Sequence, residues 1–230
     1  MTFSELIHNR YSVRDYDPRP VEQEKLSAIL EAGRAAPTAK NNQPQKIYVL
    51  QSEAAVQKIR SLAECAYNAP VVLLVGYDDT LEWNNPFDTS FSSGETDASI
   101  VCTHMMLAAA EQGIGSCWVG WFDHAAVEQA FALPANIRLT ALLPLGYPST
   151  TAAPSARHGD RKPINETVSV LDVCPVCGVT PFAAVGDVCP VCGWEHDRVQ
   201  ERDPSFAGGA NKQSLNEAKA AYRKGTNRHE

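Results

Sequence analysis

The 230-residue sequence predicts a mixed α-and-β domain over residues 1–171 followed by a small four-cysteine metal-binding domain over residues 172–230. Three observations carry this reading. Residues 1–171 alternate helical segments with apolar, strand-like ones. Four of the seven cysteines fall in two identical Cys-Pro-Val-Cys-Gly knuckles that begin at Cys174 and Cys189. The length suits one medium domain plus a small one.

The elements follow in order. A helix is expected over Phe3–Asn9, and another over Glu22–Arg34 with Leu26, Ile29 and Leu30 on one face. Lys46–Gln51 carries Ile47, Tyr48, Val49 and Leu50 and predicts a buried strand; Ala54–Ala63 predicts a short helix. Val71–Val75, an unbroken Val and Leu run after Pro70, has the pattern of a strand covered on both faces. Residues 77–96 are polar and predict a long surface loop of the kind that serves as a lid. Asp97–Gln112 is the most apolar helix and predicts the central core or interface element. Ser116–Val119 and Leu139–Leu145 predict strands on either side of a helix over His124–Phe131. Ser149–Lys162 is polar and basic without periodicity, and a strand-like run, Thr167–Val173, leads into the first knuckle. The last helix is expected over Ser214–Lys224, with Ser214 as N-cap and Glu217 as its capping-box partner.

Cys174, Cys177, Cys189 and Cys192 have the spacing of a tetrahedral metal site, in which each knuckle supplies two sulfurs. A tail this short has too small a core to stand without such a staple. Zinc is the expected ion. Iron in a rubredoxin-like site is the rival, and would allow single-electron transfer that zinc does not. Cys65, Cys102 and Cys117 stand singly in apolar stretches and are read as small buried hydrophobes.

Charge excludes some classes of function. The chain has 20 basic and 27 acidic side chains, a net charge of −7, and from Asp172 onward seven basic against eight acidic. No basic stripe exists, so nucleic acid is not an expected partner. No apolar run approaches the roughly 18 residues of a membrane span. The N-terminus has no basic stretch leading into an apolar core, so the cytoplasm is the expected location. The six histidines show no metal spacing.

Candidate binding motifs lie in the first domain. If Arg10-Tyr11-Ser12-Val13-Arg14 is extended, Arg10, Ser12 and Arg14 share a side, and two guanidiniums with a hydroxyl suit a phosphate. The turn from Ala36 to Pro44, with Pro37, Thr38, Asn41 and Gln43, is rigid and amide-rich, suited to the edge of a planar heterocycle. The glycines of Gly113-Ile114-Gly115-Ser116-Cys117-Trp118-Val119-Gly120 permit close backbone approach to a flat ligand. Arg161-Lys162-Pro163 adds a second basic pair. Trp118, Trp121 and Phe122 are read mainly as core packing.

These motifs, with Leu145-Gly146-Tyr147-Pro148, occur in the order found in the nitroreductase family of FMN-dependent oxidoreductases, which residues 1–170 resemble. The resemblance implies an α+β sandwich, an intertwined homodimer and FMN at the subunit interface. It implies that Arg10, Ser12 and Arg14, with Arg161 or Lys162, hold the phosphate and ribityl chain. Asn41 and Gln43 would contact the ring or its chain beside the partner subunit, and the Val119-Gly120-Trp121 backbone would lie near flavin N5 and O4. NAD(P)H would be co-substrate in a ping-pong cycle through N5 to a small acceptor such as a nitroaromatic or quinone. No catalytic side chain is then required, in keeping with the lack of a Ser-His-Asp or Cys-His constellation. A flavin-binding sensor or interaction protein with little turnover is the alternative, or an electron-transfer protein if the four cysteines hold iron. Residues 172–230 resemble the small cysteine-rich CPCC domains, through both knuckles and the segments Gly193-Trp194-Glu195-His196-Asp197 and Ser214-Leu215-Asn216-Glu217-Ala218.

Overall fold

The computed structural model describes residues 1–225 and divides into two compact units, Met1–Gly159 and Asp160–Glu230. This division lies ahead of the 171/172 boundary expected from the position of the cysteine knuckles. Residues 159–173 are all exposed, so they add no side chain to the core of the first unit.

In the first unit β1 (Gln45–Leu50), β2 (Val71–Asp78), β3 (Gly115–Ser116) and β4 (Ile137–Gly146) form one antiparallel sheet in the order β1–β2–β4–β3. Helices α1 (Phe3–Asn9), α2 (Gln23–Arg34), α3 (Glu53–Leu62), α4 (Gly94–Glu111) and α5 (His124–Ala130) complete it. The side chains of β2 alternate between two cores. Val71, Leu73 and Val75 pack with Leu26 and Ile29 of α2 and with Val101 and Met105 of α4. Val72 and Leu74 pack with Ile59 of α3 and Val127 of α5. A run of Val and Leu without polar breaks is therefore what this position requires. Each such side chain is worth about 1.5–3 kcal/mol buried rather than exposed, which makes β2 the anchor of the unit.

Three local expectations change. β1 is an edge strand in which only Leu50 is buried; β2 covers one side and, among the described residues, nothing pairs with the other. Helix α4 begins at Gly94, ahead of Asp97; Glu95 and Asp97 then lie in its first turn, where acidic groups complement the helix dipole. The polar stretch before it carries an Asn84–Ser92 bridge, with Trp83 and Phe91 edge to face at 6.2 Å. The β2–β4 ladder also breaks register between Val75 and Gly76. At Gly76 a Cβ would stand 2.2 Å from the Arg138 carbonyl oxygen, so no larger residue fits that bulge.

In the second unit β5 (Asp172–Val173) and β6 (Pro181–Phe182) form a two-stranded ribbon, accompanied by α6 (Ile164–Thr167), α7 (Arg198–Arg202) and α8 (Leu215–Arg223). The strand-like run expected over Thr167–Val173 is helical at its start and a strand only at its end. The capping box of Ser214 and Glu217 is present on α8. Cys174, Cys189 and Cys192 are buried with Phe182, Trp194, Leu215 and Ala218, so the sulfur cluster is itself part of a small core. Gln200 is completely buried. Its amide nitrogen lies 3.0 Å from the Asn211 carbonyl and 2.9 Å from that of Gln213, and its oxygen accepts from the Asn211 N–H. One side chain thereby fixes the loop before α8.

Candidate functional site

The segment after α1 is extended and runs beside β3. Ser12 bridges Ser116 in parallel, and the Val13 N–H donates to the Ser116 carbonyl at 2.9 Å. Gly115 lies under Val13, where a Cβ would meet the Val13 side chain at 2.7 Å. The close approach that this glycine permits is therefore to the chain itself. Ser12 and Tyr67 stand beside the Cys117 thiol, Arg14 and Cys65 stand beside the Tyr67 hydroxyl, and the Arg14 guanidinium donates to the Ser12 carbonyl at 3.2 Å. Burial raises the Tyr67 phenol and the Cys117 thiol, and Arg14 opposes both shifts. Tyr67 has φ 53°, an unusual conformation for an aromatic residue, and follows the short 3-10 turn Glu64–Ala66. Arg10 lines a separate cavity of about 180 Å³, together with Tyr11, Gly113 and Ser116.

The 64–66 turn leads to a larger cavity of about 510 Å³, lined by residues 62–64 and by Gly120, Trp121, Phe122 and Asp123. Val119 is pinned to β4, its N–H donating to the Leu142 carbonyl at 3.0 Å and its carbonyl accepting from the Leu142 N–H at 2.9 Å. Its neighbours differ: among the described residues the N–H groups of Gly120 and Trp121 have no protein acceptor. Trp121 is 84% exposed, against its reading as core, and Trp118 lies within 3.0 Å of where a Gly120 Cβ would stand. A lining that mixes apolar side chains with two carboxylates and two unengaged backbone donors suits a polar, planar ligand, and the volume lies in the range of ligand sites.

The amide-rich turn is built elsewhere in the unit. Asn41 and Gln43 are exposed and, with Lys40, have positive φ of 56°, 52° and 51°. Three non-glycine residues in that conformation within four positions mark stored strain, of order 1–3 kcal/mol each, that the surroundings must hold. Buried Asp97 supplies one restraint, accepting from the Ala39 N–H at 2.9 Å and from the Ser93 hydroxyl at 2.8 Å. The Gln43 N–H donates to Thr38 Oγ1 at 3.0 Å, and Asn42 donates to the Leu81 carbonyl. Pro37 is exposed beside them. The turn shares no lining residue with the Gly120 cavity.

Two further motifs take other positions. Tyr147 is an anchor: its hydroxyl donates to the Glu22 carboxylate at 2.6 Å, accepts from Lys25 Nζ at 2.7 Å, and its ring carries Arg19 at 3.4 Å. Hydrogen bonding from Tyr147 holds Glu22 below the usual carboxylate range. Arg161 and Lys162 are exposed in the second unit, and Arg161 donates to the Asp160 carbonyl at 2.7 Å.

The four sulfurs of Cys174, Cys177, Cys189 and Cys192 lie within 4.8 Å of one another, and none is in a disulfide. The N–H groups of Val176 and Cys177 point to the Cys174 sulfur, those of Val191 and Cys192 to Cys189, and that of Trp194 to Cys192. Gly178 and Gly193 close the knuckles at φ 70° and 74°. Burial works against the Cys189 thiolate, yet the Thr180 hydroxyl at 3.3 Å and those N–H groups outweigh it and hold the thiol down to about 6. A closed set of four sulfurs with backbone donors fits a soft, tetrahedral metal ion.

Sequence reasoning missed Tyr67, Asp97 and Glu64, which lie outside every motif; their places depend on backbone conformation and long-range packing.

Comparison with known proteins gives the family of each unit. The nitroreductase family model matches residues 7–67 and 60–147, and the cysteine-rich CPCC model matches residues 172–228. A crystal structure of a nitroreductase family protein from Clostridium difficile 630 is 40% identical, with a TM-score of 0.69 over 74% of this chain and 98% of that one. The NADH dehydrogenase of Thermus thermophilus is 30% identical over 64% of this chain and 87% of its own length. The FMN reductase [NAD(P)H] of Bacillus subtilis is 27% identical over 64% of this chain and 66% of its own length. With its sheet, its extended Arg-Ser-Arg segment and the Gly120 cavity in one unit, and the CPCC module in the other, the chain belongs to the nitroreductase family.

Proposed function

We propose that the chain is an FMN-dependent NAD(P)H oxidoreductase that passes electrons to a small nitroaromatic, quinone or similar acceptor. The observation that carries this reading is the Gly120 cavity, lined by Leu62, Ala63, Trp121 and Phe122 with two carboxylates, where the Gly120 and Trp121 N–H groups have no protein acceptor among the described residues. The donors fit the edge of a flavin ring, and Arg14 with Ser12 fits the phosphate end. FMN supplies hydride acceptance and donation at N5, and donor and acceptor using the same face in turn gives ping-pong kinetics. The protein's own task is to position the ring on the Gly120 and Trp121 N–H groups and to keep the 118–122 segment fixed through Val119.

The working form is a homodimer. The strained Thr38–Gln43 turn is exposed and apart from the cavity, as expected if it completes the site of a second copy. Phe3 (68% exposed) and Ile7 give α1 an uncovered apolar side that such a copy would bury. The four cysteines hold one zinc ion per chain with a structural role.

Purified protein is expected to carry one FMN per chain, to run at twice 25.0 kDa, and to give parallel double-reciprocal lines when NAD(P)H and acceptor are varied. Flavin-loaded protein without acceptor-dependent NAD(P)H oxidation would refute the enzymatic reading. Elemental analysis is expected to find zinc, and rubredoxin-like visible bands would replace it with iron.

A further inference from the structure

The cavity that carries the functional reading also has an uneven distribution of charge. Two of its lining residues, Glu64 and Asp123, are carboxylates and none is basic; the rest are apolar or glycine. Glu64 is exposed at the first position of the 64–66 turn and makes no side-chain hydrogen bond or ion pair among the described residues. Asp123 caps α5, its Oδ1 accepting from the Ala126 N–H at 3.0 Å, which fixes its carboxylate at the rim. Arg14 does not line the cavity. The charged side chains of the lining are therefore both negative.

We infer that Glu64 and Asp123 select the electron acceptor by charge, favouring neutral or cationic aromatic acceptors over anionic ones. The inference rests on the functional reading above, because it takes the Gly120 cavity as the place where the acceptor meets the flavin. The physical basis is like-charge repulsion between an anionic acceptor and two exposed carboxylates at the cavity mouth, an interaction that salt screens. Trp121 adds to it: a large exposed indole at the rim offers a face that neutral and cationic aromatic rings stack on. Specificity then arises as much from rejecting anions as from holding the preferred acceptor.

The test uses three para-substituted nitroarenes of similar size: 4-nitrobenzamide (neutral), 4-nitrobenzoate (anionic) and a 4-nitrobenzyl trimethylammonium salt (cationic). The readout is the anion-to-neutral ratio of kcat/KM in E64Q and in E64Q/D123N, divided by the same ratio in the unaltered protein, so that intrinsic differences in reducibility cancel. Asn retains an oxygen for the α5 cap, so D123N removes charge and not the helix start. The ratio is expected to rise about threefold in E64Q and further in the double variant, to fall for the cation, and to collapse towards unity near 0.5 M salt, as exposed charges are screened. Calorimetry with non-reducible benzamide and benzoate is expected to give the same ordering without turnover. Unmoved ratios in flavin-loaded, active variants would overturn charge selection alone. No turnover of any of the three acceptors by flavin-loaded protein would overturn the functional reading and this inference with it.

Discussion

At the scale of single residues, Arg14 and Asp97 bear different loads. Arg14 meets Tyr67 beside Ser12, and its assignment to the phosphate makes it a ligand residue. Arg14→Ala is expected to weaken FMN binding at least tenfold, the size of one lost charge-assisted hydrogen bond, as measured by equilibrium dialysis of the flavin. Unaltered retention in this variant would place the phosphate elsewhere. Asp97 touches no expected ligand, yet it holds the Ala39 N–H and the Ser93 hydroxyl under the strained turn. Asp97→Ala is expected to cost about 2 kcal/mol in urea unfolding, because those groups lose their acceptor. Arg14 was legible in sequence as part of an alternating Arg-Ser-Arg pattern. Asp97 was not, because an acidic residue in a first helical turn reads as a dipole partner until the turn packed against it is known.

At the scale of elements, the sheet was largely legible and its edges were not. The Val71–Val75 run named the central strand because only a strand covered twice needs both alternating sets of side chains apolar. Lys46–Gln51 also has an apolar centre, Ile47 to Leu50, but lies at the edge, and composition does not report strand order. Segment 115–119 follows the same logic: Ser116 and Val119 both pair with β4 in one register, Ser116 with Leu145 and Val119 with Leu142. The expected four-residue strand was therefore right in direction while its ladder is broken at Cys117 and Trp118. The bulge at Gly76 left no trace that sequence patterns report. Gly76→Ala is expected to destabilise the first unit by about 3 kcal/mol, since the obstacle is the Arg138 backbone oxygen and not a side chain that turns aside. A change below about 1 kcal/mol in chemical denaturation would show that the β4 backbone yields.

At the scale of the whole molecule, the two units draw on different sources of stability. The first has two layers of apolar core about a sheet, whereas the second gathers a few apolar side chains around four sulfurs. Metal removal by a strong chelator is therefore expected to abolish the cooperative unfolding of residues 160–230 and to leave the transition of the first unit in place. A single transition unaffected by chelation would show that the metal does not hold the second unit together. Acid acts on both units, since Asp187 and Asp197 of the second are lowered by backbone N–H donors just as carboxylates of the first are lowered by hydrogen bonds. Asp15, Glu22 and Asp78 are held below their ordinary values of 3.8, 4.5 and 3.8, chiefly by hydrogen bonds from Ser149, Tyr147 and Thr80 respectively. A carboxylate lowered in the folded state contributes stability that is present above its unfolded value and is lost as pH falls through the folded one. Thermal midpoints are thus expected to be level above about pH 5 and to drop as pH is lowered towards 3; a midpoint that rises on acidification would contradict these hydrogen-bond assignments.

The central claim is that the Gly120 cavity holds a flavin reducible by a nicotinamide donor, and anaerobic titration of the purified protein tests it most directly. The account predicts a yellow protein whose visible flavin absorbance is bleached by one equivalent of NADH or NADPH per FMN and restored by a nitroarene or quinone. A protein that retains no FMN after reconstitution, or whose bound FMN keeps its full visible absorbance under excess NADH and NADPH, would contradict it.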